Sequence, residues 1–169
     1  LKLAQNYSMT GILFICTGNI FRSVTAEYAL LAALGDRTDI SVASAGTLHA
    51  PGYTVRPDVA AYLQRKELDV SGHRRRTLTS EMLEQTDVVI AMSVDHQSIL
   101  EVDFQTDAML FTEACGGSAE ALLDVDDLFA PDDRHSPAAR QHIYGIIDQI
   151  VNQTPALAGR LTSGWRPNS

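Results

Sequence analysis

The sequence is poor in cysteine. It has two, Cys16 and Cys115, in 169 residues. That excludes a disulfide framework and leaves no spacing for a zinc site, and no metal or cofactor is implied. It has no apolar run near the ~20 residues that cross a bilayer, and its N-terminus lacks the apolar centre of a signal peptide, so no membrane partner is expected. It is also short of positive charge. With 13 Lys and Arg against 21 Asp and Glu, the formal net charge is −8. That argues against nucleic acid as a main partner, because backbone binding needs a basic surface. No internal repeat and no domain boundary interrupts the chain. A reducing, cytoplasmic setting is expected, and it would keep a reactive thiol reduced.

What is present is the composition of a globular protein, 45% apolar and 20% charged, long enough for one full core. Residues 9–153 read as one domain. Residues 1–8 precede Met9 and read as an expression remnant or a flexible extension. Residues 154–169 read as a partly ordered tail. Four short apolar runs predict strands: Ile12–Ile15, Ile40–Ala45, Asp87–Met92 and Ala108–Phe111. Each is apolar throughout rather than alternating, which calls for burial on both faces. Helical patterns alternate with them. Val24–Leu34 is followed by Asp58–Lys66 behind Pro57, a short helix from Thr79, Val94–Val102, and a long one from Ser136-Pro137. Glu113–Ala121 and the acidic Asp124–Asp133 read as loops. The prediction is an α/β fold: a single domain with a four-stranded parallel sheet and helices on both faces, doubly wound. In such sheets ligands bind at the carboxyl ends of the strands.

Cys16 stands at such an end. The stretch Cys16-Thr17-Gly18-Asn19-Ile20-Phe21-Arg22-Ser23 closes a strand and opens a helix, whose start falls at Ser23, Thr25 or Asn19. A strand–loop–helix of this kind aims backbone N–H groups and the helix dipole at one point, making an anion site. A thiol there is favoured as thiolate. Arg22, folding back over the loop, can grip two oxygens of a phosphoryl group.

These residues, continued by Ala26-Glu27, resemble the signature of low-molecular-weight protein tyrosine phosphatases, commonly C-x-G-N-x-C-R-S-P-x-A-E. Phe21 and Val24 depart from the usual Cys and Pro. The resemblance implies a metal-independent phosphatase acting on phosphotyrosine proteins, with inorganic phosphate or other oxyanions able to occupy the site. It makes Cys16 the nucleophile and Arg22 the phosphate ligand. Thr17, Gly18, Asn19, Ile20, Phe21 and Ser23 would surround the substrate, and Phe129 would border it. Asp124-Val125-Asp126-Asp127-Leu128-Phe129 resembles the family's late D-P-[FY] element, with Leu128 in place of Pro. It implies Asp127 as general acid, with Asp126 the alternative. Ser44 and the run Ser71-Gly72-His73-Arg74-Arg75-Arg76 resemble two further elements. Ser44, His73 and Arg76 would support the loop, while Arg74 and Arg75 would face solvent. Leu48-His49 would lie at the mouth; His96, His135 and His142 would be structural or surface. Ser93 stands where the family often has Asp. Phe21 removes the second loop thiol, so a protective disulfide with Cys16 is not expected. Three other readings stay open: an arsenate reductase coupled to a small thiol, a phosphoarginine phosphatase (whose members tend to carry Thr where Ile20 stands), and a catalytically weak phosphopeptide-binding module.

Overall fold

The computed structural model describes residues 9–167, so the expected remnant or extension 1–8 lies outside them. Four parallel strands form one sheet in the order β2-β1-β3-β4. They are β1 (Thr10–Cys16), β2 (Ile40–Gly46), β3 (Val88–Ala91) and β4 (Met109–Leu110). The helices are α1 (Arg22–Leu34), α2 (Pro57–Arg65), α3 (Ser80–Glu84), α4 (Val94–Phe104), α5 (Phe111–Ala114), α6 (Val125–Leu128) and α7 (Pro137–Thr162). Among the described residues, none is long and apolar enough to cross a membrane.

Successive residues of β1 serve opposite faces, as the two-residue repeat of a strand requires. Ile12, Phe14 and Cys16 join a core with Val24 and Leu30 of α1, Leu63 of α2 and Ile143, Ile147 and Ile150 of α7. Leu13 and Ile15 join a second core with Leu78 and with Leu100 of α4. The sheet is therefore covered on both sides, and the fully apolar strands are explained. Fully burying a side chain such as Phe14 or Leu30 contributes roughly 1.5–3 kcal/mol. The central strand that ends in the thiol is thereby fixed by the two cores that flank it.

Three segments differ from the sequence expectation. The acidic stretch is not loop throughout: Val125–Leu128 winds into α6 and Pro131–Asp133 into a 3₁₀ turn. The stretch from Glu113 likewise begins inside α5. The last helix passes the expected boundary at 153 and runs through Pro155 to Thr162. Proline inside a helix costs about 3 kcal/mol. Packing offsets it, since Leu157, Ala158 and Leu161 are buried. Arg160 also donates 2.9 Å hydrogen bonds to the carbonyls of Glu113 and Ala114 and lies over the Trp165 ring at 3.9 Å.

Candidate active site

The carboxyl ends of β1 and β2 lie side by side, Cys16 in register with Gly46. The chain beyond β1 crosses over Gly46 so closely that a Cβ there would sit 2.6 Å from the Thr17 carbonyl oxygen. A side chain at 46 would push the loop off the sheet. Thr47 N–H donates to Cys16 O and Leu48 N–H to Thr17 O, so the exit of β2 continues alongside the loop.

The loop turns at Asn19, whose φ of 52° is left-handed, a conformation Asn tolerates better than most residues. The turn brings Asn19 N–H to 3.2 Å from the Cys16 sulfur, and Ser23 Oγ lies 2.9 Å from it. Both contacts suit a thiolate. Ser23 is not the helix cap: position 21 fills that place, with no side chain on the first-turn N–H groups and no acidic residue in that turn. The positive end of α1 is thus left open for an anion.

Asn19 is fully buried and satisfied on all sides. Its Nδ2 donates to Ser44 Oγ at 2.7 Å and to Ser23 Oγ at 3.0 Å, and its Oδ1 accepts from Arg76 N–H at 2.9 Å. Ser44 Oγ in turn donates to the buried Glu27 carboxylate in a short contact. Arg76 Nη2 reaches both oxygens of Glu27, at 2.9 and 3.0 Å, and its Nε donates to Ser44 O. His73 Nε2 lies 3.1 Å from Asn19 O; burial holds its pKa below the ordinary histidine value. Ser44, His73 and Arg76 are therefore brought behind the loop. Arg75, expected in solvent, is there too. Its Nε donates to Gly18 O at 2.7 Å and its Nη2 to Leu48 O, strapping the loop to the β2 exit. Arg74 is exposed, as expected.

Arg22 is 1% exposed. Its Nη1 donates to Leu122 O at 2.8 Å, and its Nη2 to Asp124 Oδ2 and, at 3.4 Å, to Thr17 Oγ1. Its Nε is buried with no partner. An orphaned guanidinium N–H beside the uncapped start of α1 is what an oxyanion would satisfy. Phe21, in place of a thiol, packs its ring 5.8 Å from the Arg22 carbon. Cys115 is a free, half-buried thiol whose pKa burial raises to about 12.

His96, expected to be structural or surface, belongs to this site. It is buried at the start of α4. Its Nδ1 accepts from Ser93 N–H at 3.1 Å, so the neutral ring carries its proton on Nε2, 2.9 Å from Thr17 Oγ1. Burial first, and then the Arg22 charge, lower its pKa to about 4; Asp127 opposes them.

The three acidic candidates differ in their partners. Asp124 starts α6 and bonds Arg22. Asp126 lies 3.0 Å from Arg134 Nε. Asp127 is exposed, accepts Asp124 N–H at 2.7 Å, and has no cation against it among the described residues. A cavity of about 500 Å³ adjoins the loop, with Thr17, Gly18, Ile20, Phe21, Leu48, Tyr53, Asp124 and Asp126 in its wall. Phe129 is not part of that wall. It packs against the core, its ring 6.1 Å from that of His142. His49 also lies off the wall, with Nδ1 3.4 Å from Thr77 Oγ1. Among the described residues no cluster of His, Cys, Asp and Glu could hold a metal ion.

A buried thiol and guanidinium sharing one N–H-lined loop at the end of a parallel strand define a phosphate-loop protein of the cysteine-dependent class. The family model "Low molecular weight phosphotyrosine protein phosphatase" matches residues 11–162, and the chain belongs to that family. It is 35% identical over 95 residues to a protein-arginine-phosphatase of Bacillus subtilis, covering 55% of this chain and 62% of that one. It is 29% identical over 145 residues to the low molecular weight protein-tyrosine-phosphatase Etp of Escherichia coli, covering 84% of this chain and 90% of that one. The chain spans about three fifths of the length of the first curated relatives it matches. Among solved structures, a mutant of YwlE from Bacillus subtilis superposes with a TM-score of 0.75 at 25% identity, covering 90% of this chain and 99% of that one.

Proposed function

We propose that the protein is a protein phosphatase that hydrolyses phosphotyrosine through a cysteinyl-phosphate. The observation that carries this reading is the Cys16 sulfur, receiving the Asn19 N–H and facing Ser23 Oγ inside a loop whose buried Arg22 keeps one N–H unpartnered. Cys16 Sγ attacks phosphorus. Arg22 and the loop N–H groups hold the non-bridging oxygens, whose charge they meet without reorganisation. The bond from phosphorus to the phenolic oxygen breaks as Asp127 gives that oxygen its proton. Water then attacks the phosphoryl group and returns a proton to Asp127, the P–S bond breaks, and Ser23 hydrogen-bonds the departing sulfur. Asp127 is chosen because its carboxylate faces no guanidinium among the described residues and is exposed to an incoming leaving group. Asp124 and Asp126 each have a guanidinium partner; among the described residues Asp127 has none.

Incubation with p-nitrophenyl phosphate tests the activity. The wild type should turn over and Cys16→Ser should not; an inactive wild type would favour a binding module instead. A second reading has its own support. Asp124 and Asp126 in the cavity wall suit a guanidinium, and a protein-arginine-phosphatase is among the relatives. Against it, Ile20 presents an apolar side chain to the same cavity, which suits an aryl ring. Matched phosphotyrosine and phosphoarginine peptides decide. A higher kcat/KM on phosphoarginine would reverse the substrate assignment and leave the chemistry at Cys16 unchanged.

A further inference from the structure

Asp124 is bonded on two sides. One carboxylate oxygen takes the Arg22 Nη2 hydrogen bond, across 102 positions of sequence. The other accepts from Val125 N–H at 2.7 Å and starts α6. Its own N–H donates to Asp127 Oδ2 at 2.7 Å, and its carbonyl accepts Asp127 N–H at 3.2 Å. Two residues earlier, Leu122 O takes Arg22 Nη1, while Leu122 N–H is anchored on Met92 O at the end of β3. A helix of four residues does not hold itself together. What fixes α6 is its caps, the burial of Val125, and this double grip on a guanidinium buried in the other half of the site. Position 93 carries no carboxylate, and Ser93 is engaged with His96. Among the described residues the one acidic partner of Arg22 therefore comes from the acid-bearing segment.

We propose that Asp124 is a positioning residue that couples the phosphate loop to the acid, setting the place of Asp127 relative to the guanidinium that holds the phosphoryl group. This rests on the phosphatase reading with Asp127 as acid. Asp124 touches no reacting atom in this scheme; it acts through Arg22 and Asp127. Loss of the link lets α6 drift while the phosphate loop, held by its own bonds, keeps its shape.

The test is Asp124→Asn. Asparagine is as good a helix N-cap as aspartate, so the start of α6 survives. With its oxygen on Val125 N–H, its amide turns N–H groups toward Arg22 and the link breaks. A misplaced acid matters most when the leaving group needs its proton. The kcat/KM of Asp124→Asn, which reports the step that expels the leaving group, should therefore fall about tenfold more on phenyl phosphate than on p-nitrophenyl phosphate, within the range that proton transfer contributes. The basic limb of its kcat–pH profile should become shallower. Taking both rates on one sample cancels any loss of folded protein. Equal losses on the two substrates would mean that Asp124 serves Arg22 alone, and unchanged rates that it links nothing. Either result overturns the proposal while leaving the phosphatase reading intact. A wild type inactive on both substrates would instead sink that reading, and the proposal with it.

Discussion

The two halves of the site are built in opposite ways. Asn19, Arg22, Ser23 and Ser44 of the phosphate side are buried to within 1%. Each of their buried side-chain polar atoms except Arg22 Nε has a hydrogen-bond partner, Asn19, Ser23 and Ser44 in a network that runs from Cys16 to Glu27 and Arg76. Asp126 and Asp127 of the acid side are exposed, and Leu128 between them and Phe129 is 52% exposed. The phosphate side therefore presents fixed dipoles to an oxyanion with little to rearrange, the condition under which such groups count most. On the proposed mechanism the acid side needs access to a leaving group that changes with the substrate. Burial and hydrogen bonding are thus concentrated around Cys16 and Arg22, and exposure around Asp126 and Asp127.

The sharpest way to break this comparison lies on the exposed side. Asp127→Asn should lower kcat on phenyl phosphate by roughly 10²- to 10³-fold, the range for loss of a positioned acid. Asp126→Asn, whose carboxylate faces Arg134, should change it by less than about threefold on the same scale. The reverse pattern would move the acid to Asp126. Thermal melting should barely separate either variant from wild type, because both side chains are exposed. The buried side should behave oppositely. Arg76→Ala takes a partly exposed cation from the buried Glu27 carboxylate and leaves it with Ser44, which should cost about 1–2 kcal/mol. Urea unfolding measures it. Adding Glu27→Gln should recover part of that loss by removing the stranded charge. If Arg76→Ala proved as stable as wild type, the network would be ornament rather than support.

Much of this was legible in the residues. The four apolar runs gave the sheet because each is buried on both faces, and the strand–loop–helix at Cys16 to Ser23 followed from a thiol placed between an apolar run and a helical one. Asn19, Ser44, His73 and Arg76 followed from short motifs. The missed residues share a physical cause. Arg75 differs from Arg74 only because the bridge between Gly46 and Thr77 turns one of two adjacent arginines toward Gly18. His96 meets Thr17 across 79 positions, and Asp124 meets Arg22 across 102. Neither pairing leaves a mark in local spacing. Helix α6 spans too few residues to show a period, so its caps and Asp124's place among them lay hidden in what reads as an acidic loop. Phe129 was assigned by its motif neighbours, but hydrophobic packing against the core claims its ring.

The smallest effect probes the buried side through pH. His96 has its pKa lowered from 6.5 to about 4, chiefly by burial. The unfolded chain therefore binds a proton in a range where the folded one does not. A depressed folded value means that stability is whole above pH 6.5 and drains away as pH falls toward 4. At pH 5.5 the shortfall is about 1 kcal/mol relative to neutral pH, by proton linkage. His96→Asn keeps an acceptor for Ser93 N–H and removes the titrating ring. Its stability should drop by about 1 kcal/mol less than that of wild type between pH 7.5 and 5.5, read by urea unfolding at each pH. Parallel curves for the two proteins would show that the ring takes up its proton without unfolding. The Thr17 contact would then tolerate a charge beside Arg22, and the phosphate side would be softer than its burial suggests.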